Sequence, residues 1–159
     1  MLSQELLRNQ FPHIDGLQSP LLAENNGFSP VANEAIQIHH VNGDHWVTST
    51  SIGQEVAVYD SKFSGGDLSS SLTHQLALIY RPLITKEEDG EEVDAYLQVH
   101  IPPIQQQSGL ADCGVFAIAF ALHTALGHRV PDLEFDQAKM RSHLLKCLTK
   151  RKLPFPTLE

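Results

Sequence analysis

The chain has 159 residues, of which 42% are hydrophobic, and a formal net charge of −8 that arises from 19 acidic and 11 basic residues. This length and composition predict a single domain over residues 1–159 with one core. The negative charge argues against a nucleic-acid-binding protein and against attraction to anionic membranes. Two cysteines without a CxxC pair cannot build a disulfide framework or a zinc ribbon, so we expect reduced thiols, no metal and no cofactor.

The first half of the chain predicts a short helix followed by three strands. Residues 3–10 form the helix, and a loop rich in Pro, Gly and Asn follows it. The strands are predicted at 35–40, 45–52 and 55–61, because each stretch contains β-branched or aromatic residues. A tight turn at Gly53-Gln54 joins the last two strands into a hairpin.

The second half predicts three helices and one further strand. Asp67 is the expected cap of a helix that ends before Pro82, and residues 93–101 are the expected strand. A buried helix then begins near Cys113 and is closed by Gly127. A last amphipathic helix begins at Asp132 or Asp136 and runs to the basic residues 150–152. The predicted class is α+β, with a mixed sheet.

The sequence predicts neither a signal peptide in residues 1–10 nor a membrane-spanning segment. Residues 1–10 lack the apolar stretch of a signal peptide, and the longest apolar run, residues 115–122, is too short to span a bilayer. We therefore expect a soluble protein of the cytoplasm or nucleus.

Cys113 is the first candidate for chemistry, because it stands at the start of an apolar helix in "SGLADCGVFAIAFALHTALG". The helix dipole and the unpaired N–H groups of a first helical turn favour a thiolate. Gly114 leaves room for a substrate backbone, and the Cys113 N–H points toward an oxyanion at an attacked carbonyl. A buried packing cysteine is the alternative interpretation, since cysteine is among the most buried residue types.

His45 and Asp60 are the candidate partners of the thiol. In a hairpin with a two-residue turn at Gly53-Gln54, the residue numbers of two cross-strand partners add up to 107, so Asp60 lies opposite Val47. His45 is two residues from Val47 and shares its face, which places His45 and Asp60 on a diagonal within side-chain reach. Such a pair supplies the base and the group that orients it.

Three consecutive glutamines, residues 105–107, precede the cysteine across a flexible segment, and one of their amides could donate to an oxyanion. With this feature, the motifs "HW", "YDS" and "DCG" occur in the order and spacing of a known family. The sequence resembles the ubiquitin-like-protein proteases of the Ulp or SENP type, which are related to the adenovirus protease. Residues 35–127 carry the resemblance. The stretch "FPHIDGLQSP" resembles the Ulp-type domains of eukaryotic mobile elements.

The resemblance implies a papain-like, adenain-like cysteine protease fold in which a mixed central sheet packs against the helix that carries the nucleophile. It implies that His45 is the base, Asp60 the orienting acid, Gln107 the oxyanion donor and Cys113 the nucleophile. It further assigns substrate-binding roles, which fall to Trp46, Asp112 and Gly114. Only 44 residues precede His45, so we expect a short N-terminal lobe. The family's N-terminal Trp-Leu-Asn-Asp-like segment is not recognisable in it.

The implied activity is hydrolysis of a peptide or isopeptide bond after the Gly-Gly C terminus of ubiquitin or a ubiquitin-like modifier, of the SUMO or Nedd type. A narrow slot roofed by Trp46 would select glycine, and the acidic residues between 87 and 94 could attract a basic tail. Three alternatives stay open. They are an acetyltransferase on the same scaffold, a catalytically inactive modifier-binding module, and a structural domain with a core cysteine.

Overall fold

The structure is a computed structural model that describes residues 2–41, 45–53, 55–89, 92–150 and 157–158. The described helices are α1 (Leu2–Gln10), α2 (Ser70–Ile79), α3 (Cys113–Ala125) and α4 (Gln137–Lys150), with 3-10 turns at Pro20–Asn25, Arg81–Leu83 and Val130–Asp132. The described strands are β1 (Asp15–Gly16), β2 (Ala35–Val41), β3 (His45–Thr50), β4 (Val56–Tyr59), β5 (Thr85–Asp89), β6 (Glu92–Tyr96), β7 (Val99–His100), β8 (Glu134–Phe135) and β9 (Thr157–Leu158).

The central sheet of the described residues has the order β1-β2-β3-β4-β7. The β2–β3 and β3–β4 pairs are antiparallel. The edge strands pair in parallel with their neighbours, β1 with β2 and β7 with β4. The pairs β5–β6 and β8–β9 form separate two-stranded ribbons. The α+β class with a mixed sheet, predicted from the sequence, is confirmed.

The hairpin β3–β4 has the register that the sequence predicts. Thr48 lies opposite Tyr59 and Thr50 lies opposite Ala57, so partners sum to 107. Gly53 has a φ of +91°, which suits a tight turn, whereas Gln54 lies outside the described residues. Both strands are shorter than predicted, and β4 ends at Tyr59, one residue before Asp60.

The sheet separates two layers of buried side chains, because successive strand residues point to opposite faces. On one face, Ile36 and Ile38 of β2 pack with the apolar side chains of α3 and with Leu7 of α1. On the other face, Val47 and Val58 pack with Leu76 and its neighbours on α2. The predicted core helix is therefore confirmed as the main covering of one sheet face.

Helix α3 is bound to the sheet by a polar contact as well as by packing. Thr48 of β3 is fully buried, and its Oγ1 donates to the carbonyl oxygen of Ala117 at 2.6 Å. Gly127, with a φ of +85°, follows the end of this helix. The hydrogen bond from Thr48 thus positions α3 against β3.

Two predicted elements differ from the structure. The cap of α2 is Ser69, whose side chain accepts from the Leu72 N–H, and not Asp67. The predicted strand 93–101 is divided, because residues 92–96 pair with β5 whereas residues 99–100 pair with β4. An apolar alternation does not reveal that the chain changes its pairing partner in the middle.

The last helix begins directly after Asp136, one of its two predicted starts. Of the basic cluster 150–152, residues 151 and 152 lie outside the described residues. None of the helices in the described part of the chain has the length and apolarity needed to cross a bilayer.

Candidate active site

Cys113 is the first residue of α3, as the sequence predicts, and its side chain is buried to all but 6%. The first turn of the helix is closed by the Phe116 N–H, which donates to the carbonyl oxygen of Asp112 at 3.0 Å. The thiol therefore lies at the N-terminal end of α3, which is the positive end of the helix dipole. The other cysteine, Cys147, is 4% exposed and belongs to the apolar layer on the α3 face of the sheet.

His45 and Asp60 meet across the end of the central hairpin. The distance between His45 Nε2 and Asp60 Oδ1 is 2.8 Å, and the two side chains are 25% and 14% exposed. Asp60 Oδ1 also accepts from the Lys62 N–H at 2.9 Å, which fixes the carboxylate. Because Asp60 holds Nε2, Nδ1 is the imidazole nitrogen that can act on a thiol.

Trp46 connects this pair to the start of α3. Its ring lies against Gly114, where a Cβ atom would stand 3.4 Å from Trp46 Cδ1. His45 directly precedes Trp46, and Cys113 directly precedes Gly114. The contact between Trp46 and Gly114 therefore brings the backbones at His45 and Cys113 near each other. His40 stacks on the ring of Trp46, with the two ring centroids 4.4 Å apart.

Gln107 is anchored to the segment that follows Asp60. Its backbone N–H donates to the Ser61 carbonyl at 2.8 Å, and its side-chain oxygen accepts from Ser61 Oγ at 2.7 Å. The remaining amide group, Nε2, donates to the Gly109 carbonyl at 3.0 Å. Because the oxygen end is held by Ser61, the donor end of the amide is directed into the loop before Cys113.

The two preceding glutamines have different partners. Gln106 accepts from the Phe63 N–H and donates to the Asp60 carbonyl, which ties it to the backbone around the acid. Gln105 forms two hydrogen bonds with the backbone of Phe135, at 2.5 and 3.0 Å. The glutamine tripeptide therefore fastens the loop before Cys113 to the hairpin and to β8.

The Asp112 carboxylate turns toward α4. Its Oδ2 accepts from Gln137 at 2.9 Å, and its Oδ1 accepts from Arg141 at 2.6 Å. Hydrogen bonds from Gln137 and Arg141, together with the Arg141 charge, hold the pKa of Asp112 below its ordinary value. The predicted substrate contact is thus a carboxylate with two protein partners.

A pocket of about 500 Å³ opens beside the thiol. Trp46, Cys113 and Gly114 line it, together with Leu110, Ala111, Val115, Ile118, Arg141 and Leu144. Volumes of roughly 300–1,000 Å³ hold drug-sized ligands. Trp46 forms part of the pocket wall, and the glycine slot at this ring stays a prediction.

Sequence reasoning missed three residues at this site. Ser61 orients Gln107, and Gln137 and Arg141 bind the loop before Cys113. The last two are four residues apart, which places them on one face of a helix. That spacing shows the shared face but gives no indication of what the face contacts. Within the described residues, no group of three or more His, Cys, Asp or Glu side chains is arranged to hold a metal ion.

The fold is similar to solved structures of a SUMO protease. One is described as "SUMO protease Ulp1 with the catalytic cysteine oxidized to a sulfonic acid"; it is 15% identical over 94% of this chain and 74% of that chain, with a TM-score of 0.63. A second is the C-terminal Ulp1 protease domain in complex with Smt3, the yeast ortholog of SUMO. It is 14% identical, with coverages of 94% and 73% and a TM-score of 0.61.

At these identities the likeness shows the fold. The chain has the fold of the Ulp1 protease domain, which confirms the fold implied by the motifs around His45, Asp60 and Cys113. No family model matches the sequence, and no curated protein matches it.

Proposed function

We propose that this chain is a single-domain cysteine protease that cleaves peptide or isopeptide bonds after the Gly-Gly C terminus of ubiquitin or a ubiquitin-like modifier. The observation that carries the proposal is the hydrogen bond between His45 and Asp60, together with Cys113 at the start of α3 in an Ulp1-type fold. A packing cysteine has no need of an oriented imidazole beside its helix. These features therefore favour catalysis over a structural role.

The proposed reaction begins with a Cys113 thiolate and a His45 imidazolium held by Asp60. The thiolate attacks the carbonyl carbon of the scissile bond, and the carbonyl electron pair moves to oxygen, where the Cys113 N–H and Gln107 Nε2 donate. As the C–N bond breaks, His45 gives its proton to the leaving amine, and a thioester remains. His45 then takes a proton from water as the water oxygen attacks the thioester carbonyl. The C–S bond breaks, the Cys113 thiolate leaves, and the acid product ionises by losing its proton to solvent.

The substrate-binding part of the proposal rests on the pocket beside Cys113. Trp46 and Gly114 line it together with apolar side chains such as Ile118 and Leu144, so an extended tail could lie along an apolar wall to the thiol. Gly114 has no side chain to obstruct a backbone that approaches Trp46. The Smt3 complex of the similar Ulp1 domain supports a modifier of the SUMO type among the candidates.

The test is a panel of ubiquitin, SUMO-type and Nedd-type modifiers, each carrying a C-terminal electrophile. We expect at least one modifier to become attached to Cys113, as measured by intact mass and peptide mapping. The Cys113→Ala variant should bind the same modifier without attachment. The same modifier with a fluorogenic C-terminal amide should be hydrolysed by the unmodified protein.

Other outcomes of this experiment would indicate a different function for the chain. Binding without attachment or hydrolysis indicates a modifier-binding module, and acetyl transfer from acetyl-CoA to Ser, Thr or Lys indicates an acetyltransferase. If no modifier binds or reacts while a small electrophile alkylates Cys113, the thiol is reactive but the modifier protease assignment is wrong.

A further inference from the structure

The loop between Gln107 and Cys113 has little packing of its own. Residues 108–111 are exposed, and Leu110 is exposed to 76%. Gly109 adopts a φ of +77°, a conformation that side-chain-bearing residues rarely take. This loop joins the two groups proposed to bind the oxyanion, so something outside the loop has to fix their separation.

Helix α4 supplies that support at both ends of the loop. At the first end, Gln137 forms a closed pair with Ser108: its oxygen accepts from the Ser108 N–H, and its Nε2 donates to the Ser108 carbonyl, both at 2.8 Å. At the second end, Arg141 Nη2 donates to the Ala111 carbonyl at 2.6 Å. The same guanidinium donates to Asp112 Oδ1 through Nη2 at 2.6 Å and through Nε at 3.2 Å.

The Arg141 contact also has an electrostatic consequence. Asp112 is the residue directly before Cys113, and an unpaired carboxylate beside a thiol disfavours the thiolate. Within the described residues, Arg141 is the cation that pairs with Asp112. Arg141 is itself 63% exposed, so solvent screens the pair and its contribution to stability is small. Its effect on the adjacent thiol is a separate quantity from its effect on folding.

We propose that Arg141 is a positioning residue for the Cys113 nucleophile: it fixes the loop through Ala111 and Asp112, and it neutralises the carboxylate of the residue that directly precedes Cys113. The proposal rests on the proposed function only in taking Cys113 as the nucleophile. Gln137 assists by holding Ser108 and the second oxygen of Asp112.

The test is the rate at which iodoacetamide alkylates Cys113 between pH 5 and pH 9, followed by peptide mass spectrometry, with Cys147 as the internal reference in each sample. We expect Arg141→Met to slow alkylation of Cys113 about tenfold at pH 6 and to move the alkylation profile toward higher pH. Arg141→Lys keeps the charge and loses the two-point contact, so we expect an intermediate rate.

The decisive variant is the double substitution Asp112→Asn with Arg141→Met. It removes the carboxylate together with its partner, so alkylation at pH 6 should return to within about threefold of the original rate. A role limited to loop structure predicts that the double variant is no faster than Arg141→Met. Arg129→Met is the matched control, because Arg129 pairs with Asp132 beyond the far end of α3.

The outcomes separate this proposal from the proposed function. The proposal is wrong if Cys113 is alkylated at the same rate in Arg141→Met and in the unmodified protein across the whole pH range. It is also wrong if alkylation in the double variant is no faster than in Arg141→Met. Both conclusions hold whatever the modifier panel shows. If no modifier reacts and the alkylation results are as expected, the modifier protease assignment fails and the role of Arg141 stands. Thermal unfolding of each variant shows whether the fold is retained.

Discussion

At the scale of single residues, the site depends on side chains whose two ends have different partners. Gln107 is held at its oxygen by Ser61 and presents its Nε2 to the loop before Cys113, where the Gly109 carbonyl accepts. A donor that is already oriented stabilises a developing oxyanion without reorganisation. In the proposed mechanism, this arrangement helps the transition state and not the bound substrate.

Replacing Gln107 with alanine should therefore lower kcat by about 10²–10³-fold and leave the affinity for the modifier nearly unchanged. Ser61→Ala removes one orienting hydrogen bond and keeps the donor, so its loss of kcat should be smaller. The measurements are steady-state hydrolysis of the fluorogenic modifier and binding to a Cys113→Ala background. Gln98→Ala, at an exposed glutamine between β6 and β7, is the control. A parallel loss of binding and kcat would make Gln107 a contact residue.

The sequence was sufficient to predict the contact between His45 and Asp60, and insufficient for the contact between Asp112 and Arg141. A hairpin has a side-chain period of two, so a turn of known length determines which residues share a face. Arg141 reaches Asp112 because α4 docks beside the start of α3, and docking of two helices is not encoded in the spacing of either helix. The same holds for Ser61 and Gln107, which are 46 residues apart.

At the scale of elements, strand β3 connects both layers of the molecule. Thr48 donates to the backbone of α3 on one face, whereas Ser49 Oγ lies 2.7 Å from the Tyr80 hydroxyl on the other. The alternation of the strand predicted these two faces. The division of residues 92–100 between a ribbon and the central sheet could not be predicted, because it depends on which neighbour each half finds.

Thr48→Val tests the connection between β3 and α3. Valine has nearly the same shape but no hydroxyl, so the substitution removes the hydrogen bond to Ala117 and should lower the free energy of unfolding by about 1 kcal/mol. Urea unfolding followed by circular dichroism measures it. Thr73→Val, at an exposed position of α2, is the matched control and should change stability by less than about 0.5 kcal/mol. Equal effects of the two variants would mean that the buried hydroxyl contributes no net stability.

At the scale of the whole molecule, stability depends on pH through buried histidines. Burial lowers the pKa of His39 from 6.5 to about 4, although a hydrogen bond to Gln75 acts in the opposite direction. The neutral ring is satisfied in place, since it contacts Gln75 Oε1 at 2.9 Å and Ser49 Oγ at 2.6 Å. Burial, with the charge of His128, also lowers the pKa of His123 to about 4.

The sign of the pH dependence follows from these pKa values. Between pH 6.5 and pH 4 the unfolded chain binds more protons at His39 than the folded protein does, so the free energy of unfolding falls as the pH falls through this range. A shift of this size corresponds to about 3 kcal/mol for His39 once both forms are fully protonated. Below pH 4 the contribution of His39 is constant.

His39→Gln should therefore flatten the stability profile between pH 6.5 and pH 4 by roughly that amount, even if the variant is less stable at pH 7 because the contacts with Gln75 and Ser49 change. Because His123 is present in both proteins, subtracting the two profiles isolates His39. The measurement is urea unfolding at half-unit steps of pH, with His74→Gln, at an exposed position of α2, as the control. If the profiles of His39→Gln and the unmodified protein run parallel, the folded protein takes up a proton at His39 as readily as the unfolded chain, and the buried network tolerates the charge.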